Sequence, residues 1–449
     1  MKQEGFIDIT SLTAAEVLAA VRDGRASAEE IVGAFLARIR ADEPRVQAWA
    51  WLDEERALQQ ARNIDRVRRE GHATGPLHGL PVGLKDIIDT ADMPTENGTA
   101  LHAGRRPMHD ATVVERLRSA GAIILGKTVS TELATYSPGK TRNPHDPERT
   151  PGGSSSGSAA AVAAQMVPVA LGTQTNGSVI RPAAYCGVYG YKPTFGWVPR
   201  TGILRQSRPL DQVGFFARSV EDLAIVAEPL VGYDEMDSAT RPGARPALRS
   251  VAMQEPPLPP VFATTRTPNW EDADEQTRLA FDEVAEALGE QSKRFSVPAM
   301  FKDAWDWHRT IMEADLARSF RHEYERGRDR LSDSLREQIE RGLKVSAFDY
   351  NDAVERIDAT AESFDEVFDR CDVLLVPAAA GPAPRGLEAT GSPAFCTLWT
   401  FAGMPAVTLP LLTSEEGMPM GIQLVGRRGD DARLLRTARW LVQWVESNS

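Results

Sequence analysis

The chain has 449 residues, 42% of them hydrophobic and 25% charged, and its 51 basic and 63 acidic side chains give a net charge of −12. An acidic balance does not suit binding to a nucleic-acid backbone or to an anionic membrane surface. Three cysteines in so long a chain predict buried thiols in a reducing compartment rather than a disulfide framework. Because the first residues also lack the apolar core of a secretory signal, we expect a cytoplasmic protein.

The N-terminal region has the pattern of helices. Thr13–Glu16 and Ser27–Glu30 each match a capping box, in which a hydroxyl and a later carboxylate satisfy free amides of the first turn. Hydrophobic spacing and Gly/Pro breaks then predict three further elements. These are a strand over Leu80–Leu84, a helix over Ala111–Ala120 and a strand over Ala122–Leu125.

An uncharged stretch follows, since no Asp, Glu, Lys or Arg occurs from residue 150 to residue 180. At the usual charged fraction a window of this length arises by chance about once in ten thousand, so it needs a physical reason. A membrane span is excluded because prolines, glycines and hydroxyl residues interrupt the stretch. Its pattern predicts a helix over Ser158–Met166 and a strand over Val167–Leu171.

The region of about 271–372 is charged and rich in helix formers, whereas the rest of the chain alternates strands with helices. We expect strands over Val373–Pro377 and Ala406–Pro410 and a closing helix over Ala432–Val445. Alternation of this kind indicates a layered α/β sheet. We therefore expect a single domain over 1–449, with 271–372 as a helix-rich layer or insertion.

Three short motifs match known sites but lie in the wrong context. Gly121–Thr128 matches a Walker A motif, but its intervening residues read as strand and cannot wrap a phosphate. Gly153–Gly157 matches a nucleophile elbow without the strand that should precede it, and Ser137–Lys140 contains Pro and Gly where a helix is needed. The histidines show no metal-ligand spacing, so we expect neither metal nor cofactor.

The lengths of the predicted helix and strand bring two serines, Ser154 and Ser178, to the same edge of the sheet. The predicted helix and strand between Ser154 and Ser178 each span roughly 16–20 Å, so the chain returns to the same sheet edge. Lys85 also follows a short buried strand, and burial favours its neutral, basic form. The alternative, left open by spacing alone, is a structural ion pair between Lys85 and Asp86.

These segments resemble the amidase signature family over most of the chain. The motif Gln174–Arg181 is most similar to malonamidase-like small bacterial amidases, and urethanases of the same family have a similar length. The resemblance is carried by the following segments: Gly79–Asp86, Gly126–Thr128, Asn143–Pro144, Pro151–Pro193, Leu210–Gly214, Arg218–Asp222, Gly417–Gly426 and Leu434–Leu435.

The resemblance implies a three-layer α/β/α sandwich around a large mixed, mostly parallel twisted sheet. It also implies a Ser–cisSer–Lys triad, with Ser178 as nucleophile, Ser154 as bridging serine in a cis peptide after Gly153, and Lys85 as base. The backbone amides of Thr175, Asn176, Gly177 and Ser178 match the family's oxyanion hole. Thr173, Gln174, Ser155, Ser156 and Arg181 are candidates for substrate binding or for support of the triad.

The motif departs from the family pattern at two positions. Gln174 stands where the family has Asp, which removes a buried charge beside the nucleophile. Asn176 stands where the family has Gly, so it is expected to tolerate a backbone angle that Gly adopts freely. Arg181 matches the residue that holds a substrate carboxylate in malonamidase, and the alternative for this residue is a structural anchor of the loop.

We expect from this a free-standing serine hydrolase that cleaves amide or carbamate C–N bonds through an acyl-enzyme on Ser178. The expected partner is a small-molecule amide or carbamate, with no nucleic acid and no membrane, and a homodimer is allowed. Two alternatives stay open, the amidase subunit of a glutamine-dependent amidotransferase complex and a catalytically silent scaffold. The pocket walls are expected from Thr131–Tyr136, Gly202–Ser207, the 305–320 helix and Gly391–Trp399.

Overall fold

The computed structural model of the chain describes residues 8–448. The first helices begin where the sequence predicts, because both capping boxes form. The Thr13 hydroxyl accepts from the backbone N–H of Glu16 while the Glu16 carboxylate accepts from the N–H of Thr13, and Ser27 and Glu30 repeat the exchange. The capping-box prediction is confirmed at both sites.

Eleven strands form one sheet within the described residues. In chain order they are β1 Trp49–Leu52, β2 Pro81–Lys85, β3 Ile123–Thr128, β4 Val169–Gln174, β5 Tyr189–Lys192, β6 Gln212–Ala217, β7 Phe262–Arg266, β8 Ser292–Ser296, β9 Val373–Pro377, β10 Ala406–Thr413 and β11 Pro419–Val425. Their order across the sheet is β1-β3-β2-β4-β6-β5-β10-β11-β9-β7-β8.

The α-helices of the described residues connect and cover these strands. They are α1 Ala14–Arg22, α2 Ala28–Val46, α3 Glu54–Arg69, α4 Thr112–Ser119, α5 Ser156–Ala163, α6 Ile180–Cys186, α7 Val220–Ala227, α8 Leu248–Ala252, α9 Glu275–Ala287, α10 Ala304–Ser319, α11 Arg321–Gly327, α12 Asp333–Gly342, α13 Ala347–Glu362, α14 Asp365–Phe368, α15 Ala394–Phe401 and α16 Asp431–Asn448. The charged region 271–372 contains α9–α14 and one strand, β8, that its composition did not predict.

Helices cover both faces of the sheet, as the alternation along β9 demonstrates. Val373 and Leu375 pack into one hydrophobic core, whereas Leu374 and Val376 pack into another. Successive side chains of a strand point to opposite faces, so each core occupies one face. Helices α1, α2, α7 and α16 contribute to the first core, and α10, α12 and α15 contribute to the second.

The predicted three-layer α/β/α sandwich around a large mixed sheet is confirmed, but the sheet is not mostly parallel. Only β2 with β3 and β4, and β7 with β8 and β9, pair in parallel. The other six neighbouring pairs are antiparallel. Antiparallel neighbours need no helical crossover. The helix-and-strand alternation that predicted the layers therefore does not determine strand direction.

Two further findings concern the cysteines and the apolar character of the helices. Cys186, Cys371 and Cys396 are buried and free, as expected for thiols outside a disulfide framework. Within residues 8–448, no helix combines the length and the apolar character that crossing a membrane would need.

Candidate active site

Lys85 is the last residue of β2 and is fully buried. Its Nζ donates to Ser154 Oγ at 2.6 Å and to Thr173 Oγ1 at 3.0 Å. Burial lowers the pKa of this lysine well below its ordinary value, and the charge of Asp211 opposes the shift. The amine is therefore favoured in its neutral form, which is the form that can accept a proton.

Asp86 does not pair with Lys85, so the structural ion-pair alternative is wrong. The Asp86 carboxylate accepts from the backbone N–H of Glu96 at 3.1 Å. The charge that acts on Asp86 most strongly is that of Lys127 on the neighbouring strand. Within residues 8–448, no carboxylate lies within ion-pair distance of the Lys85 amine.

Ser154 precedes α5 in a backbone of unusual geometry. The Gly153–Ser154 peptide is cis, which confirms the predicted cis bond, and Gly152 before it has a φ of +80°. A Cβ on Gly152 would lie 2.8 Å from Cα of Pro182, so this turn requires glycine. Arg181 anchors the same turn, since its Nη2 donates to the Gly153 carbonyl at 2.6 Å and to Thr390 Oγ1 at 3.1 Å.

Ser178 lies four residues beyond β4 and is half-buried. Its hydroxyl has no hydrogen-bond partner among the described residues, and it lines a small cavity together with Tyr136 and Asn176. The cavity measures about 10 Å³, which is room for about one water molecule. The hydroxyls of Ser154 and Ser178 share no hydrogen bond in the described chain, so this last link of the triad stays a prediction.

The loop between β4 and α6 presents free backbone donors. Within the described residues, the N–H groups of Thr175, Asn176, Gly177 and Ser178 donate to no protein acceptor. Free N–H groups beside a serine hydroxyl can stabilise a developing oxyanion. The oxyanion assignment of these amides remains a prediction that this geometry permits.

Gln174 caps the helix that follows the loop. Its Oε1 accepts from the backbone N–H groups of Val179 at 2.7 Å and Ile180 at 3.0 Å, and its Nε2 donates to Thr400 Oγ1 at 2.8 Å. An oxygen acceptor for these amides is the property that Gln shares with Asp. The substitution therefore keeps the acceptor while it removes the charge.

The expectation for Asn176 is wrong. Its φ is not positive, whereas Gln47, Asn97, Leu133, Ala134 and Gln165 are the non-glycine residues of the described chain with positive φ. The contribution of Asn176 comes from the hydrogen bonds of its side chain and not from an unusual backbone angle. Its Nδ2 donates to the Tyr136 hydroxyl at 3.0 Å, and its Oδ1 accepts from Thr397 Oγ1 at 2.8 Å.

The remaining predicted residues support the framework. Thr173 accepts from Lys85, and Ser155 Oγ bonds both the N–H and the carbonyl of Thr173 at 3.2 Å. Ser156 Oγ donates to the Val129 carbonyl at 3.4 Å. These hydroxyls fix β4 and α5 relative to the lysine. A substrate-binding role for Ser155, Ser156 or Arg181 stays a prediction.

All four predicted wall segments contribute to the cavities at this end of the sheet. An outer cavity of about 360 Å³ shares Tyr136, Asn176, Met312 and Gln338 with the small cavity at Ser178. The segments supply the following lining residues: Ala134, Thr135 and Tyr136; Gln206; Trp305, His308, Arg309, Met312, Glu313 and Leu316; and Ser392, Pro393, Ala394 and Thr397.

Sequence reasoning missed His308, Thr400 and Asp211. His308 is buried on α10, its Nε2 donates to the Thr175 carbonyl at 2.8 Å, and burial lowers its pKa to about 4. Burial also raises the pKa of Asp211 to about 6. The Asp211 carboxylate accepts a hydrogen bond from Thr175 Oγ1 at 2.7 Å. No sequence pattern marks His308, which follows Trp305 and Trp307 in α10.

The excluded motifs lie where their sequence context predicted. Residues Ile123–Thr128 form β3, so the literal Walker A residues are in the sheet, and Lys127 donates to Thr95 Oγ1 at 2.6 Å instead of facing a phosphate. Gly153–Gly157 covers the turn before α5 and the first two residues of that helix, and no strand directly precedes it. Among residues 8–448, no His, Cys, Asp or Glu side chains group in threes or more to hold a metal ion.

Comparison with known proteins agrees with this architecture. The amidase family matches residues 30–435. The A subunit of the glutamyl-tRNA(Gln) amidotransferase of Chloroflexus aurantiacus is 36% identical over 97% of this chain and 98% of its own length. The chain therefore belongs to the amidase family, which makes it an amidohydrolase by class.

Solved structures give the same result. A structure of a vestigial protein complex, linked to the origins of an s-triazine catabolic enzyme, matches with a TM-score of 0.90 and 28% identity, over 96% of this chain and 98% of that one. The peptide amidase of Stenotrophomonas maltophilia matches with a TM-score of 0.84 and 30% identity, over 97% of both chains.

The similarity to amidotransferase subunits overturns two expectations. The expected free-standing hydrolase of amides or carbamates is wrong, because the near-full-length relatives are subunits of a larger enzyme. The expected partner, a small-molecule amide or carbamate with no nucleic acid, is wrong because the names of those relatives include a tRNA. The triad residues could not reveal this, since the same acyl-transfer chemistry serves isolated hydrolases and subunits alike.

Proposed function

We propose that this chain is the amidase subunit of a glutamine-dependent amidotransferase. It hydrolyses the side-chain amide of glutamine and supplies the ammonia to a partner subunit. The observation that carries this proposal is the 36% identity to the Chloroflexus aurantiacus amidotransferase subunit over nearly the whole of both chains. The likeness to a structure from a protein complex supports a partner as well.

The proposed reaction begins with the lysine. Nζ of Lys85 and Oγ of Ser154 are 2.6 Å apart, so with a neutral amine the Ser154 hydroxyl can donate and Nζ can accept. Ser154 in turn takes the proton of Ser178 as the Ser178 oxygen attacks the amide carbon. The developing oxyanion is stabilised by the free N–H groups of the 175–178 loop, each worth about 3 kcal/mol in comparable sites.

The second half of the proposed reaction passes the proton from Lys85 to the leaving group. Ser154 donates a proton to the leaving nitrogen and recovers one from Lys85, so that ammonia departs and an ester remains on Ser178. Water then attacks this ester while the same relay accepts its proton. The relay returns that proton to the Ser178 oxygen as the ester bond breaks and glutamate is released. The sum is glutamine plus water giving glutamate plus ammonia, and Lys85 ends neutral.

The finer likeness of Gln174–Arg181 to malonamidase-like amidases and urethanases stays a prediction about the motif. Arg181 already bonds the Gly153 carbonyl and Thr390, which supports the anchoring alternative for that residue. The cytoplasmic location also stays a prediction.

The experiment is an ammonia-release assay with L-glutamine on the full chain, alone and with the other subunits of a tRNA-dependent amidotransferase. We expect release to require or to rise strongly with the partner subunits, and to disappear in Ser178→Ala. Full glutaminase activity without partners, or cleavage of other amides but never of glutamine in the complex, would overturn the proposal.

A further inference from the structure

The last residue of β4, Gln174, and the first two residues of the oxyanion loop, Thr175 and Asn176, are each hydrogen-bonded to a side chain of the helical layer. The Thr175 carbonyl accepts from His308 Nε2 at 2.8 Å, and the Asn176 carbonyl accepts from Thr400 Oγ1 at 2.5 Å. Gln174 donates to the same Thr400 hydroxyl. His308 belongs to α10 and Thr400 to α15, so both anchors come from elements far from the loop in sequence.

These two carbonyl contacts determine where two amides point. A peptide unit is planar and trans, so the carbonyl of one residue and the N–H of the next lie in one plane and point in opposite directions. The Thr175 carbonyl therefore fixes the direction of the Asn176 N–H. In the same way, the Asn176 carbonyl fixes the direction of the Gly177 N–H.

Both amides are left free of protein acceptors in the described chain, although the carbonyls of Thr175 and Asn176 are bonded. His308 is 1% exposed and so is Thr400, so neither anchor exchanges its contact for water. Burial lowers the pKa of His308 to about 4, so its ring is neutral and has one N–H, which the Thr175 carbonyl draws to Nε2.

The Asn176 side chain makes the arrangement more rigid. It bridges Tyr136 and Thr397, so the residue between the two peptide planes is held on its side chain as well as on its carbonyl. A glycine at this position would leave only the carbonyl contacts.

We propose that His308 and Thr400 are positioning residues that aim the Asn176 and Gly177 N–H groups at the oxyanion of the reacting carbonyl. This inference rests on the proposed function, because it takes Ser178 as the nucleophile. Each of them acts through one peptide plane, because its side chain bonds a carbonyl of the loop. Loss of either anchor lets its plane rotate, which weakens an interaction that forms fully only in the transition state.

The test compares Thr400→Val and His308→Phe with a matched control, Thr408→Val. Thr408 is also a buried threonine whose hydroxyl donates to a backbone carbonyl, that of Ile180 at 3.1 Å, but this plane carries none of the oxyanion amides. His308→Gln restores an N–H donor and serves as the conservative rescue.

Two readouts are used on the full chain. The first is kcat and KM for glutamine hydrolysis with the partner subunits, and the second is the rate at which a fluorophosphonate labels Ser178. We expect Thr400→Val and His308→Phe to lower kcat and the labelling rate by about 10–100-fold, part of the 10²–10³-fold worth of a complete oxyanion donor, with KM nearly unchanged. Thr408→Val should leave both rates within about threefold, and His308→Gln should recover most of the loss.

The outcomes separate this inference from the proposed function. Wild-type labelling at Ser178 without glutamine hydrolysis would refute the glutamine substrate, and the labelling rates of the variants would still decide the inference. Labelling of both anchor variants at the wild-type rate, or an equal loss in Thr408→Val, would overturn the inference alone. Absence of Ser178 labelling in the wild type would overturn both.

Discussion

Replacement of Lys85 by methionine keeps the length of the side chain and removes the amine that is hydrogen-bonded to Ser154. Within the described residues, Ser154 Oγ has no hydrogen-bond partner other than Nζ of Lys85 at 2.6 Å. No second side chain of the described residues is therefore placed to take the relayed proton. Positioned acid–base groups contribute about 10²–10⁴-fold, and this amine both accepts and returns the proton. We expect kcat/KM to fall by about 10³-fold or more, which corresponds to about 4 kcal/mol of transition-state stabilisation.

Stability should change much less than activity in Lys85→Met. The variant loses hydrogen bonds to Ser154 and Thr173, each worth about 1 kcal/mol. The substitution also removes a destabilising effect of the buried amine. Because burial places the folded-state pKa of Lys85 well below its value in the unfolded chain, the unfolded chain holds this proton to higher pH than the folded one, and this lowers wild-type stability at neutral pH. The lost hydrogen bonds lower stability and the lost pKa effect raises it, so we expect the free energy of unfolding to change by no more than about 2 kcal/mol.

The assay is ammonia release together with the rate of Ser178 labelling, and the folding check is a denaturant titration. Lys192→Met is the matched control, because Lys192 is another buried lysine, with a pKa lowered by burial to about 7 and its Nζ at 2.7 Å from Gln212 Oε1. It does not contact Ser154, so the folded control should stay within about tenfold of wild-type activity. A Lys85→Met enzyme that also stays within tenfold would refute the assignment of Lys85 as base.

Three further predictions concern groups around the lysine and the loop. Asp211→Asn removes the charge that raises the pKa of Lys85, so the acidic limb of the kcat/KM profile should move to lower pH, and an unmoved or raised limb would contradict this. His308 has its pKa lowered from 6.5 to about 4, so the unfolded chain binds the extra proton and wild-type stability should fall by about 3 kcal/mol as pH drops through this range. His308→Gln should flatten that part of the curve in denaturant titrations at several pH values. Gln174→Asp keeps an acceptor for the amides of α6 but loses the donor to Thr400, so activity should stay within about tenfold and stability should fall by about 1 kcal/mol; an inactive, folded variant would contradict the family comparison.

The parts of the site at the ends of β2 and β4 could be predicted because local sequence determines them. Buried strands are marked by short apolar runs, and the reach of α5 and β4 returns the chain to one edge of the sheet. The resemblance added roles and the cis peptide, which no periodicity indicates. The four wall segments were predicted correctly as segments, without a ranking of their residues.

Other features depend on tertiary packing and could not be predicted. Ser292–Ser296 forms the edge strand β8 although its composition is polar, because β7 offers it a parallel partner. His308 acquires its contact with Thr175 only when α10 packs over the loop. Asn176 was expected to matter for its backbone angle, but the hydroxyls of Tyr136 and Thr397 determine its role.

The uncharged stretch 150–180 now has a structural explanation. It contains the cis peptide, α5, β4 and the loop up to Ser178, all packed around a lysine without a paired carboxylate. A fixed negative charge in this region would raise the pKa of Lys85 and compete with the oxyanion for the loop amides. The replacement of the family Asp by Gln174 extends the same neutrality.

Peptide mass spectrometry of the complex, after acid quench during glutamine turnover, shows directly which side chain is acylated. We expect a γ-glutamyl ester on Ser178 that accumulates in the wild type and is absent in Ser178→Ala, which should release no ammonia. An acyl group on a different side chain, or ammonia release at the wild-type rate by Ser178→Ala, would contradict it.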